Sequence, residues 1–341
     1  MSKITVENYP QATVACFDAT RGELPRRKLD PETNNRFLEK LAAAGAEAVL
    51  IAASTGHGHL RTVEELNDWF LSTRDAAIES VTKMALLRPE DGVAANSGLA
   101  QTLAKSGFDV GFVRPGNDLL PDATDRQIAD NMLPAIKAVA DVGLAVGVYS
   151  IPDVSGLPLR PDAVAMILDE CQAVVAIKVT ESNYEQSTKK FLSDTRLNAL
   201  KIVQGWDPFL AKALKDDPVR CGVTSGPMSF AIIQYLHILK KAKDNDWEEV
   251  ELAQHAVTRL FESMQDDPAK FADLQRAKYI MGLGHPISGQ IDETQIERVF
   301  EALEKVERVE DRSRLAASLN LMGAGPYAER LNELAESHSS N

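Results

Sequence analysis

The constraint that most narrows the fold is an alternation repeated along the first two thirds of the chain, in which short apolar runs are separated by longer segments of helical period. Eight runs read as strands: Ala12–Phe17, Ala48–Ala53, Lys83–Leu87, Val110–Val113, Leu144–Tyr149, Val174–Lys178, Ala199–Val203 and Arg220–Val223. Between them lie amphipathic stretches. Glu32–Ala44 places Phe37, Leu38, Leu41 and Ala44 on one face, and Asp125–Ala140 does the same with Ile128, Met132, Ile136 and Val139. Strands that alternate with helices pair in parallel, and eight of them close naturally into a barrel, so the expected class is α/β, a (β/α)8 TIM barrel. The third run is ambiguous, because Met84-Ala-Leu-Leu87 could equally finish the preceding helix. From about Phe230 the pattern changes to helix, broken at Gly282-Leu-Gly-His-Pro286 and Gly323-Ala-Gly-Pro326, which divides the chain into a barrel at 1–228 and a C-terminal helical appendage at 229–341. The appendage is expected to pack against the barrel or a neighbouring subunit rather than to react, and the polar residues Glu336–Asn341 to fray.

Composition removes several function classes. The chain has 341 residues and a formal net charge of −13, with no run of lysine and arginine interleaved with aromatics, so nucleic acid is not an expected partner. Its three cysteines, Cys16, Cys171 and Cys221, are widely spaced and form no CxxC pair, as in a reduced, cytoplasmic protein. The start MSKITVENYP lacks the apolar stretch of a signal peptide, and no segment approaches the 18 apolar residues of a membrane span.

In such a barrel the reactive residues stand just beyond the C-terminal ends of the strands. The second strand leads to Ser54-Thr-Gly-His-Gly-His59, whose hydroxyls and small residues suit a carboxylate. Strand five delivers Tyr149-Ser-Ile-Pro-Asp-Val-Ser-Gly156, and strand six ends on Lys178, followed by Thr180. Strand seven leads to Gly205-Trp-Asp207 and strand eight to Gly222-Val-Thr-Ser-Gly226. Burial disfavours the charged form of an amine, and a lysine at the dry mouth of a barrel can attack a carbonyl as a Schiff-base nucleophile. The alternative is a lysine that snorkels from a strand end into water. His57 and His59 form a His-x-His pair that could hold a metal, but His237, His255, His285 and His338 all fall in helices or in the appendage, so no metal is assigned.

Taken in order, these loops resemble the dihydrodipicolinate synthase and N-acetylneuraminate lyase family of class I, pyruvate-handling aldolases, over roughly residues 10–300. Ser54-Thr55-Gly56 is similar to the family's carboxylate-binding loop, and Tyr149-Ser-Ile-Pro-Asp-Val-Ser-Gly156 to its Tyr-Asn-Ile-Pro signature. Lys178 falls on the Schiff-base lysine, with Thr180, Gly205, Asp207 and Ser225 at matching positions. The resemblance implies Lys178 and Tyr149 as catalytic residues, with Ser54, Thr55, Gly56, His57, Thr180, Gly205, Asp207 and Ser225 around the substrate. It also implies a 2-oxo acid as partner, a homo-oligomer (dimer or tetramer) and no cofactor, since the protonated imine is the electron sink.

Four departures bear on specificity. His57 replaces the glutamate usual after the strand-two glycine, and Val154 stands where dihydrodipicolinate synthases carry an arginine for the second carboxylate. Arg114-Pro-Gly-Asn117 replaces the aromatic pair after strand four, and Pro208 replaces the acidic residue that follows Asp207 in the lyases. The expected activity is therefore cleavage or formation of a C–C bond with pyruvate as the common fragment, on a 2-keto-3-deoxy sugar acid or a 4-hydroxy-2-oxo acid. Alternatives are a dihydrodipicolinate synthase-like condensation, or a 2-oxo acid dehydratase or deaminase on the same scaffold. A metal-dependent hydrolase and a non-catalytic binding barrel are the remaining readings.

Overall fold

A computed structural model describes residues 4–264, 274–323 and 325–336. Eight parallel strands close the barrel: β1 (Ala12–Ala15), β2 (Ala48–Ile51), β3 (Thr82–Leu87), β4 (Val110–Val113), β5 (Ala145–Ser150), β6 (Val174–Val179), β7 (Lys201–Gln204) and β8 (Cys221–Ser225). Each pairs with its sequence neighbour, and β1 closes the ring by pairing with both β2 and β8. The ambiguous third run is strand from Thr82 onward, since Met84 and Leu86 fill the barrel interior while Ala85 and Leu87 face the helices, a period of two that no helix can offer.

Two apolar layers result. Inside the barrel Ala48, Leu50, Met84, Leu86, Val110, Phe112 and Val203 pack with Tyr9. Phe112 fills the space that a side chain at Gly147 would need, because a Cβ there would come within 2.4 Å of the ring. Outside, the other strand face packs against amphipathic helices such as Pro31–Ala43 and Asp125–Asp141, the latter begun by a capping box in which Thr124 and Gln127 satisfy each other's backbone N–H groups. All three cysteines are buried and unbonded.

Beyond β8 the described chain forms helices Met228–Lys243, Trp247–Glu262, Gln275–Ile280, Glu293–Glu304, Val309–Leu319 and Ala328–Glu336. The helical appendage expected from the sequence is therefore present, while His338 and the tail beyond Glu336 lie outside the described residues. No helix among the described residues is long and apolar enough to cross a membrane.

Candidate active site

Lys178 and Tyr149 are register partners on adjacent parallel strands, which sends both side chains to the same side of the sheet. Both are buried. The Lys178 Nζ lies 4.3 Å from the centroid of the Tyr149 ring, and Thr180 Oγ1 donates to the Tyr149 hydroxyl at 3.2 Å. No carboxylate among the described residues forms an ion pair with Lys178. These groups line a cavity of about 210 Å³ with Ser54, Thr55, Asp153, Gly205, Trp206, Asp207, Gly226, Pro227, Phe261 and Leu274. Larger grooves of about 810 and 780 Å³ exist, one beside Arg160, Lys190 and Arg196, the other beside Ile4, Leu144 and Val175, and neither touches Lys178. Size alone does not choose the site. Convergence of polar groups does.

Glycines permit this convergence. A Cβ at Gly205 would stand 2.1 Å from Thr180 Oγ1 and 2.9 Å from Lys178 Cε, and one at Gly226 would stand 2.4 Å from Thr55 Oγ1. The Ser54–Gly56 turn is tightly held. Ala52 (φ 60°) and His57 (φ 53°) occupy the left-handed region on either side of it, a conformation that costs a non-glycine residue roughly 1–2 kcal/mol and that surrounding contacts must stabilise. Gly56 itself packs under β1, where a Cβ would come within 2.7 Å of the Cys16 carbonyl oxygen.

Of the residues expected to meet substrate, Ser54, Thr55, Tyr149, Lys178, Thr180, Gly205 and Asp207 share the cavity wall. Gly56, His57 and Ser225 stand one layer behind it. Ser225 donates to Asp207, whose carboxyl is pushed up to about 6 by burial, against the opposing pull of Ser225, Tyr235 and Lys178. His57 adjoins a charged cluster in which Asp18, beyond β1, accepts from Arg61 and, at 3.0 Å, from Lys278 on helix Gln275–Ile280. Burial holds the His57 imidazole down at about 4, although Asp18 pulls the other way, so it is neutral at neutral pH. His59 is also held at about 4 by burial and neighbouring His57, and no cluster of three or more metal-binding side chains occurs among the described residues.

Arg114 is buried and committed. Its guanidinium forms two hydrogen bonds with Glu90, one of them 3.2 Å long, and a third with the Pro115 carbonyl at 2.7 Å. It does not line the cavity.

The appendage contributes more than packing, contrary to the sequence expectation. Phe261 and Leu274 line the cavity, Tyr235 donates to Asp207, and Gln275 Nε2 donates to the Thr55 carbonyl at 3.3 Å. One signal for these contacts was in the sequence: Leu274, Ala277, Lys278 and Met281 fall on one helical face, and a lysine on an otherwise apolar face needs a buried partner.

Known proteins share this architecture. A YagE structure from E. coli K12, a prophage protein of the dihydrodipicolinic acid synthase family in complex with pyruvate, superposes with a TM-score of 0.75 at 17% identity, over 88% of this chain and 99% of that one. Sialic acid aldolase from Ruminococcus gnavus superposes with a TM-score of 0.70 at 15% identity, over 87% and 99%. In sequence, 4-hydroxy-tetrahydrodipicolinate synthase of Thermosipho africanus is 20% identical over 238 residues, 70% of this chain and 78% of that protein. The Dihydrodipicolinate synthetase family as a whole matches residues 11–288, and with that span and this barrel the chain belongs to that family.

Proposed function

We propose that this protein is a Schiff-base-forming lyase that makes or breaks a C–C bond in a 2-oxo acid, with pyruvate as the common fragment. The observation that carries this reading is the amine of Lys178 lying 4.3 Å from the Tyr149 ring in a buried cavity, with no carboxylate among the described residues to neutralise it as an ion pair. Lys178 attacks the ketone, Thr55 and Ser54 hold the carboxylate through their hydroxyls, and Tyr149, oriented by Thr180, moves protons as the carbinolamine loses water. A cavity of about 210 Å³ falls below the ~300–1,000 Å³ of drug-sized sites, in keeping with a small substrate.

Within this class the site favours a lyase of 4-hydroxy-2-oxo acids over condensation with aspartate semialdehyde. The latter needs a cation for a second carboxylate. Val154 supplies none, and the guanidinium of Arg114 is already taken by Glu90.

The test is incubation with pyruvate and borohydride, read by intact mass and peptide mapping. One pyruvyl-sized adduct on the Lys178 peptide is expected, absent in Lys178→Ala. No adduct, or an adduct elsewhere, ends the Schiff-base reading. Tyr149→Phe should retain some adduct yet lose roughly two to four orders of magnitude in turnover. Efficient use of aspartate semialdehyde that collapses in Arg114→Ala would reassign the specificity.

A further inference from the structure

The cavity that would receive a 2-oxo acid carries the wrong charge for one. Its wall holds two carboxyl side chains, Asp153 and Asp207, against the single amine of Lys178, and no guanidinium lines it. Once Lys178 gives up its proton to become a nucleophile, nothing on that wall offsets the carboxylates. A substrate carboxylate then needs positive charge from behind the wall.

Such charge is buried on the far side of the Ser54–Gly56 turn. Arg27, Arg61 and Lys278 are at most 5% exposed, and among the described residues the carboxylate buried with them is Asp18. Arg61 and Lys278 both meet Asp18, whereas the Arg27 guanidinium donates to the Pro286 and Gly289 carbonyls and pairs with no carboxylate among the described residues. At the rim, Glu65 lies 3.6 Å from Arg61 but is shared with Arg26, so that outer pair adds no net charge. Guanidinium groups keep their charge even when buried, so two arginines against one carboxylate leave an excess before Lys278 is counted. His57, neutral at neutral pH, does not alter the sum.

The turn is a thin partition between this cluster and the cavity. Thr55 lines the cavity, yet its carbonyl accepts from Gln275 at 3.3 Å, three residues before Lys278 on the same helix. On the other side, a Cβ at Gly56 would stand 3.4 Å from the backbone nitrogen of Asp18. Buried charge is costly to leave uncompensated and is little screened by salt, so an excess held here points to an anion that occupies the cavity in function.

We infer that Arg61 and Lys278, which line no part of the cavity, set its preference for a carboxylate: with Arg27 they supply, through the Ser54–Gly56 turn, the positive field that Asp153 and Asp207 oppose. This rests on the Schiff-base reading of Lys178. The hydroxyls of Ser54 and Thr55 orient the carboxylate, and the buried cations behind them neutralise it.

Pyruvate and pyruvamide present the same ketone in nearly the same shape and differ by one charge. The half-saturating concentration of each for formation of the borohydride-trapped adduct, read by intact mass, gives a ratio that isolates that charge. Lys278→Met and Arg61→Met should each raise the value for pyruvate roughly tenfold while leaving that for pyruvamide within about twofold. Arg61→Lys keeps the charge and should restore the ratio. Glu65→Gln keeps the capping bond to the Thr62 N–H and removes a partly exposed anion, so it should move the ratio the other way, roughly two- to threefold in favour of pyruvate, a gain that loosened packing cannot produce. This last variant leaves the buried charges in place and decides the matter even where the others fail to fold. An unchanged ratio in Glu65→Gln, or equal weakening of both ketones in the buried variants, overturns the inference while the adduct itself keeps the Schiff-base reading intact. Absence of adduct with either ketone in wild type overturns both.

Discussion

Two lysines are buried at the same end of this barrel, and their surroundings are opposites. Lys278 reaches Asp18 at 3.0 Å in a cluster that also holds Arg61, all three side chains fully buried. Lys178, likewise buried, has an aromatic face and a cavity, with Asp207 on the same wall but in no ion-pair contact with it. A buried amine is therefore not in itself a sign of chemistry. What distinguishes the two is whether a carboxylate meets the amine directly: the first lysine is tied to its partner, the second is left for a ligand to engage.

Exchanging the roles of these residues probes that contrast. The largest effect is expected from Lys178→Met, which should eliminate pyruvate trapping while changing stability by no more than about 1 kcal/mol, because the swap keeps the side chain's length and breaks no ion pair. Mass spectrometry after borohydride and urea unfolding read the two arms, and a collapse of stability would mean that Lys178 also holds the barrel together. Asp18→Asn should do the reverse. It leaves Arg61 and Lys278 without their anion and should cost about 3–5 kcal/mol in urea unfolding, and a loss below about 1 kcal/mol would show that the cluster is slack.

A pH dependence belongs to the same pair of variants. Burial opposes ionisation of Asp18, but Lys278, His57 and Arg61 outweigh it and bring the carboxyl down from 3.8 to about 2. Because the folded value is depressed, its contribution is complete above pH 3.8 and is lost as pH falls through about 2. The stability gap between wild type and Asp18→Asn should accordingly be level at higher pH and narrow across that acid window, and a gap that instead narrowed near neutrality would implicate another group. The smallest effect concerns the carboxylate loop: Thr55→Val should weaken pyruvate binding by roughly 1–3 kcal/mol in calorimetry, and unchanged affinity would show the hydroxyl to be idle.

Much of the fold was legible because a strand announces itself over four to six consecutive residues. Met84 and Leu86 alternate with Ala85 and Leu87, and helix Asp125–Asp141 carries both its capping residues and its apolar stripe. The strand-end loops were legible for a topological reason, since a parallel barrel collects the C-terminal ends of all its strands at one rim. The contacts that cross from the appendage were not. Tyr235 meets Asp207 across 28 residues and Lys278 meets Asp18 across 260, and although Lys278 on an apolar face signals a buried partner, neither helix says which residue that partner is. Arg114 illustrates the converse. A strand-end arginine is as suited to a salt bridge as to a ligand, and Glu90 from the preceding loop takes it.

The clamp formed by Gln275 on the Thr55 carbonyl and Lys278 on Asp18 has a consequence for synthesis in the cell. A ribosome delivers the chain from its first residue onward, so all eight strands emerge before the segment that completes their rim. Until residue 278 clears the exit tunnel, Asp18 has Arg61 alone and Thr55 keeps a carbonyl without its Gln275 donor. Translation must thus pass residue 278 before this rim of the barrel is fully built. Pauses or truncations between the eighth strand and residue 278 should release a barrel that can close its ring and still lack a finished pocket.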